Sequence, residues 1–252
     1  MSILTNNNIL LPSNMKAILN IVVFTLWGQF ALAQPLVQHR GKMSKIGQEN
    51  RVDAEILVDS IRAKNLYALG PVEGLRGEII VWNSQPFVAA VTAEKKPFLR
   101  KKVKDLKAIF LVYADVPKWD TVLLTTNIPT MNALQDAITK AAHQAGIDTA
   151  SAFPFLLYGK IQEGKGHIMY RDTAVRQINP DVIKAANHGQ AFQHQEAQML
   201  GFYSQHHQRI FTSPNSFLHI HYRLRNKYQA GHLDAVSFDV STPIKLLLPH
   251  KQ

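Results

Sequence analysis

Apolar residues fall along this chain mostly in short runs of strand length, and seldom at helical spacing. Glu78-Ile-Ile-Val-Trp-Asn83 and Phe87-Val-Ala-Ala-Val-Thr92 read as two strands joined through Asn83-Ser-Gln-Pro86. Ala108-Ile-Phe-Leu-Val-Tyr113 reads as a buried strand and Trp119 to Thr125 as another. Phe155 to Tyr158 and His167 to Arg171 form a further pair, with Gly164-Lys-Gly166 as the turn between them. Gly189 to Phe202, Phe217 to Leu224, His232 to Val240 and Ile244 to Leu248 complete the strands. Two segments carry helical spacing. Val52 to Lys64 has apolar Ile56, Leu57, Val58 and Ile61. In Thr130 to Gln144, Leu134, Ile138 and Ala142 recur every four residues, with start signals in Asn127-Ile-Pro-Thr130 and a stop at Gly146.

This pattern predicts an α+β fold with mostly antiparallel or mixed sheets and few helices. No repeat period is present. Residues 52–150 read as an N-terminal α/β half. Residues 151–252 read as a C-terminal β half, a small barrel-like sheet. The polar, basic stretch 34–51 shows no periodicity and reads as an extended leader. Before it, Lys16 precedes an apolar run from Ala17 to Trp27, and Ala31-Leu32-Ala33 is a small-x-small cleavage site. Residues 1–33 therefore read as a secretory signal peptide, cleaved before Gln34. The run is short for a membrane span, so the expectation is an exported protein with no stable membrane insertion after cleavage.

Cleavage leaves 219 of the 252 residues, enough for a real core. The chain has no cysteine, which excludes a disulfide framework and thiolate metal sites. Any metal must be held by histidine and carboxylate. Net charge is +10, and removing Lys16 with the leader leaves +9. Much of the excess is local, in Lys95, Lys96, Arg100, Lys101, Lys102, Lys104 and Lys107. Only Phe98 is interleaved, so a solvated basic face is expected there and a nucleic-acid partner is not. A small anionic substrate fits the charge.

The chemistry concentrates near the C-terminal end. In Phe217-Leu-His-Ile-His-Tyr, strand alternation puts His219 and His221 on one face. A turn through Arg225 to Gly231 returns His232 on a neighbouring antiparallel strand. Three converging neutral imidazoles suit Zn²⁺ and leave a fourth position open for water or substrate. The plainer reading of His-x-His is a solvent-facing or hydrogen-bonded pair. His188, His194, His206 and His207 lie in a Gln-rich stretch that reads as a solvated loop, and His167 as a strand-end residue.

Several of these segments together resemble α-acetolactate decarboxylase. They are Leu69-Gly70, then Leu75-Arg76-Gly77-Glu78, then Arg171-Asp-Thr-Ala-Val-Arg176-Gln177, Gly201-Phe202, His219-Ile-His221-Tyr222 and Gly231-His232-Leu233-Asp234. The resemblance covers roughly residues 52–240, and its histidine element is the most specific part. Arg76 stands where the family has aspartate, and no glutamate follows Glu196 to match the family's second, C-terminal one. The resemblance implies a Zn²⁺ centre on His219, His221 and His232, with catalytic roles for Glu78 and Arg171. Its substrate would be a 2-hydroxy-3-oxo acid, 2-acetolactate, converted to acetoin and CO₂. A carboxyl in a partly dry pocket has a raised pKa, which suits Glu78 as proton donor. A guanidinium fork suits Arg171 as ligand of the substrate carboxylate, with Arg176 as the other choice. A metalloenzyme for another oxo acid and a non-catalytic binding protein on the same scaffold remain as alternatives, and a homodimer is open.

Overall fold

The computed structural model describes residues 33–225, 229–238 and 241–251. The segment read as an export signal lies outside them except for Ala33, as do Asp239 and Val240 of one expected strand. Among the described residues, no helix is long and apolar enough to cross a membrane.

The chain begins with strand β1 (Gln38–Arg40), helix α1 (Ser44–Glu49) and strand β2 (Ile56–Leu57). Strands β3 (Leu66–Pro71), β4 (Glu78–Trp82), β5 (Gln85–Val91), β6 (Pro97–Lys101), β7 (Lys107–Ala108), β8 (Leu111–Asp115) and β9 (Trp119–Leu124) follow. Helix α2 (Met131–Gln144), strand β10 (Phe153–Met169), helix α3 (Pro180–Ala185) and strand β11 (Asn187–Tyr203) come next. The chain closes with β12 (Leu218–Leu224), β13 (Ala230–Ser237) and β14 (Ile244–Pro249). The fold is α+β, and every strand pairing is antiparallel.

One sheet has the order β1-β8-β3-β4-β5-β6, and the other β11-β12-β13-β10-β14-β9. An additional β10–β11 pairing closes the second sheet into a ring. The change of sheet falls just before β9, which pairs with β14, and not near residue 150. The supposed leader is also structured. β1 extends the first sheet along β8, and α1 is tied down by buried Lys45, whose Nζ donates to the Asp53 carboxylate at 2.8 Å and also to Glu55. The expected helix over 52–64 is absent. Ile56 and Leu57 pair with Lys107 and Ala108 instead, followed by a single 3₁₀ turn at Val58–Ser60. A run of adjacent apolar residues fits a pleated edge as well as a helix face, and the available sheet edge decides.

The largest departure is β10. Gly164 and Gly166 make no turn, and the strand runs seventeen residues without a break. These glycines permit close packing. A Cβ on Gly164 would lie 2.2 Å from the Phe192 ring, and one on Gly166 would lie 2.4 Å from the His232 carbonyl oxygen. β10 pairs with β11 along one edge, and with β14 then β13 along the other. By contrast, the β4–β5 hairpin forms as expected. Asn83 and Ser84 take φ of 48° and 62°, the left-handed pair that a two-residue turn demands.

Alternation on β12 then places the site. Leu218, Ile220, Tyr222 and Leu224 face a core shared with Leu134 and Ile138 of α2. The opposite face of the same sheet, through Leu156, Leu200 and Phe202, packs on Tyr67, Leu69 and Ile80 of the first sheet. α2 is started by Thr130, whose side chain accepts from the Ala133 N–H at 3.2 Å, a cap worth about 1 kcal/mol. Burying Leu134 and Ile138 fully adds roughly 1.5–3 kcal/mol each.

Candidate metal centre and active site

His219 and His221 project from β12 between the two sheets, on the face opposite Ile220 and Tyr222. His232 stands directly across from His221 in the β12–β13 register. One ligand atom from each ring lies within 4.8 Å of the others. His219 and His221 are almost fully buried, and the His232 side chain is 14% exposed. Among the described residues this is the one His and carboxylate group that could hold a metal ion.

Burial holds all three imidazoles neutral. It holds His221 down to about 3, with its bond to the Ile79 backbone pulling the other way. Burial likewise pushes His219 and His232 well below the usual histidine range, reinforced for His219 by His232 and His221 and for His232 by His167 and His221. His221 Nδ1 donates to the Ile79 carbonyl at 2.8 Å, which fixes the tautomer and leaves an Nε2 lone pair. That Nε2 and the Nδ1 of His219 are buried without a hydrogen-bond partner. An orphaned buried polar atom costs about 1–3 kcal/mol, and a shared cation would satisfy both. These residues therefore fit a divalent metal bound by neutral nitrogen donors.

Glu78 opens β4 and is 3% exposed. Its Oε1 accepts from the Met169 N–H at 3.0 Å, and its Oε2 lies 3.7 Å from His221 Nε2. Burial pushes this carboxyl up to about 7, against the opposing pull of His167. Gly77, before it, has φ of 133°, and a Cβ there would meet the Ala89 carbonyl oxygen at 2.3 Å. Only glycine lets the chain enter β4 with Glu78 turned inward.

His167 belongs to this site and was not legible as such in sequence. Its ring centroid lies 4.8 Å from that of His232, and its Nδ1 lies 2.8 and 2.9 Å from the two Asp234 oxygens. Burial lowers its proton affinity, but the Asp234 bond and the Glu78 and Asp234 charges outweigh that and raise it. The two residues are far apart in sequence, and only the β10–β13 pairing joins them. A cavity of about 410 Å³ connects the parts. It is lined by Glu78, His167, His219, His232 and Asp234, by Phe110 and Met169, and on one side by Met43, Ser44 and Ile46 of α1 and its start.

Arg171 is not brought to this cavity. Its Nε donates to the Gly74 carbonyl at 3.1 Å, and its NH1 to the carbonyls of Asp172 at 3.3 Å and Val175. The arginine fork that was expected to hold substrate instead ties down the chain beyond β10. Arg176 is exposed and also does not line the cavity. His188 and His194 lie on β11 rather than in a loop, and His188 Nε2 donates to the Tyr170 carbonyl at 3.0 Å. His207 closes a turn, its Nδ1 2.7 Å from Ser204 Oγ.

No family model matches the sequence, and no curated protein does. Solved structures do match. The α-acetolactate decarboxylase of Bacillus subtilis strain 168 aligns with a TM-score of 0.69 at 11% identity, over 86% of each chain. This chain has the fold of the α-acetolactate decarboxylases. The acetolactate decarboxylase of Bacillus subtilis subspecies spizizenii aligns with a TM-score of 0.67 at 11% identity, over 85% of this chain and 87% of that one. A Staphylococcus aureus protein of unknown function, described as similar to α-acetolactate decarboxylase, aligns at 0.62 and 11% identity, over 86% of each chain. The architecture is thus shared where almost nine in ten residues differ.

Proposed function

We propose that this chain is an exported, zinc-dependent decarboxylase that converts 2-acetolactate to acetoin and CO₂. The observation that supports it best is the placing of buried Glu78, 3.7 Å from His221, beside three neutral imidazoles, two of which, His219 and His221, carry an unsatisfied buried nitrogen. A divalent metal on His219, His221 and His232 would polarise the substrate's ketone oxygen as a Lewis acid. The rest falls to the chain's own side chains. The Met169 N–H orients the Glu78 carboxyl, and burial keeps it protonated to about neutral pH. When the bond to the carboxylate breaks, CO₂ leaves and the electron pair stays behind. Glu78 then delivers its proton to that carbon, forming the new C–H bond. Asp234 holds the His167 ring in one orientation at the same cavity, and α1 covers one side against water.

Acetoin release from zinc-loaded protein, with metal-stripped protein as the blank, tests the reading. Equal rates would end it. Activity on a bulkier 2-hydroxy-3-oxo acid and none on 2-acetolactate would favour a second reading, a metalloenzyme for another oxo acid. The apolar side of the cavity, at Ile46, Phe110 and Met169, favours that alternative. Metal binding without turnover of either acid would leave a binding protein. Export is tested by the N-terminus of protein recovered outside the cytoplasm, expected at Gln34.

A further inference from the structure

We infer that Arg209 holds the substrate carboxylate in this cavity. The inference rests on the decarboxylase reading, and it supplies the group which that reading otherwise lacks. An oxo acid brings a negative charge into a site that already contains the Asp234 carboxylate. His167 faces Asp234 and is committed to it. The three imidazoles of the triad are neutral. Among the described lining residues, Arg209 contributes the one permanent positive charge.

Its surroundings favour this use. Arg209 is exposed at the edge of the cavity, and its guanidinium has no hydrogen bond or ion pair with any described residue. Arg171, by comparison, has its Nε and one terminal nitrogen committed to three backbone carbonyls. The Arg209 backbone is held where a non-glycine residue seldom sits, at φ of 65°. Three bonds fix it there. Its N–H donates to Thr212 at 2.8 Å, its carbonyl accepts from Ser44 at 2.9 Å, and the adjacent Ile210 carbonyl accepts from Met43 at 2.7 Å. Such conformations persist where the surrounding structure over-determines them, and they cluster at ligand clamps. The same bonds join the Arg209 turn to the start of α1, so the cation and the apolar wall at Met43 and Ile46 are positioned as one unit. A planar fork suits a carboxylate through two parallel N–H···O bonds.

The test is binding as well as turnover. The probe is 2,3-dihydroxy-2-methylbutanoate, which has no ketone and cannot lose CO₂, alongside its uncharged amide. Calorimetry on zinc-loaded wild type should show the acid binding more tightly than the amide. Arg209→Gln should weaken the acid by about 10- to 100-fold and leave the amide unchanged, removing the preference. Arg209→Lys should restore part of it. Arg100→Gln, a charge loss on β6 away from the cavity, should change neither. In turnover, Arg209→Gln should raise KM more than it lowers kcat, with unchanged zinc content and thermal midpoint. Acetoin release with an undiminished acid preference in Arg209→Gln overturns the inference and leaves the decarboxylase reading intact. No acetoin from wild type, with an acid preference that depends on Arg209, does the reverse. A wild type that binds acid and amide equally overturns the inference.

Discussion

The imidazole of His221 donates from Nδ1 to the backbone carbonyl of Ile79 at 2.8 Å, and Ile79 is the residue after Glu78. This one bond spans the two sheets. It fixes the metal-facing nitrogen of a ligand and the start of the strand that carries the proton donor. Small shifts between the sheets therefore move donor and metal site together.

Replacing His221 by alanine should remove bound zinc, from about one ion per chain to near none, as read by elemental analysis. Wild type should also gain thermal stability with added zinc, by about 2.7 kcal/mol when free zinc is a hundredfold above its Kd. His221→Ala should show no such gain. Equal zinc content in the two proteins would remove the triad assignment.

Glu78→Gln should lower turnover by about 10²- to 10⁴-fold with zinc content unchanged. In wild type, activity should fall as pH rises past the point where this carboxyl loses its proton, which a nearby zinc dication shifts below the metal-free value of about 7. The sign for stability follows from the same shift. Its folded value lies above the usual 4.5, so the folded state holds the proton between the two values. In metal-stripped protein, the stability of wild type relative to Glu78→Gln should be fully present below about 4.5 and decline as pH rises to about 7. Chemical denaturation across that range is the measurement, and a flat difference would contradict the buried, neutral carboxyl.

Gly231→Ala should weaken zinc binding although the residue touches no metal. A Cβ there would lie 2.5 Å from the His167 carbonyl oxygen, which is backbone and cannot swing away. β13 must then move off β10 and carry His232 with it. Zinc titration should show a higher Kd, and a Kd equal to wild type would mean the strands absorb the methyl.

Lys45→Met should loosen α1 without touching the triad. Nζ of Lys45 donates to the Asp53 carbonyl at 2.9 Å and its carboxylate at 2.8 Å, and also to Glu55, while its stem is buried. Losing these bonds should cost on the order of 1–3 kcal/mol and speed proteolysis near residues 42–50. Zinc content should stay at the wild-type level.

Much of the site was legible because strands impose a period of two. His219 and His221 had to share a face, and a hairpin had to return His232 opposite one of them; the pairing of His221 with His232 is that geometry. Glu78 was reached through the resemblance, since a lone glutamate before a strand reads as an exposed edge residue. The rest depended on distant pairings. Glycines that normally mark a turn served at Gly164 and Gly166 to admit rings and a carbonyl from neighbouring strands. That Arg171 lies off the cavity was not legible, because sequence gives its position along the chain and not the carbonyls waiting at Gly74 and Val175. His167 and Arg209 carry no local signal at all, since their places at the cavity are set by Asp234 and by Ser44, far away in the chain.

The seating of α1 also sets an order of assembly. Met43 and Ser44 are made early in synthesis, yet the carbonyls that receive them belong to Ile210 and Arg209. Closing so long a loop is entropically expensive until the intervening strands have formed, so this contact comes late in folding. Whatever loosens this late contact also opens one wall of the cavity, because Met43, Ser44 and Ile46 line it.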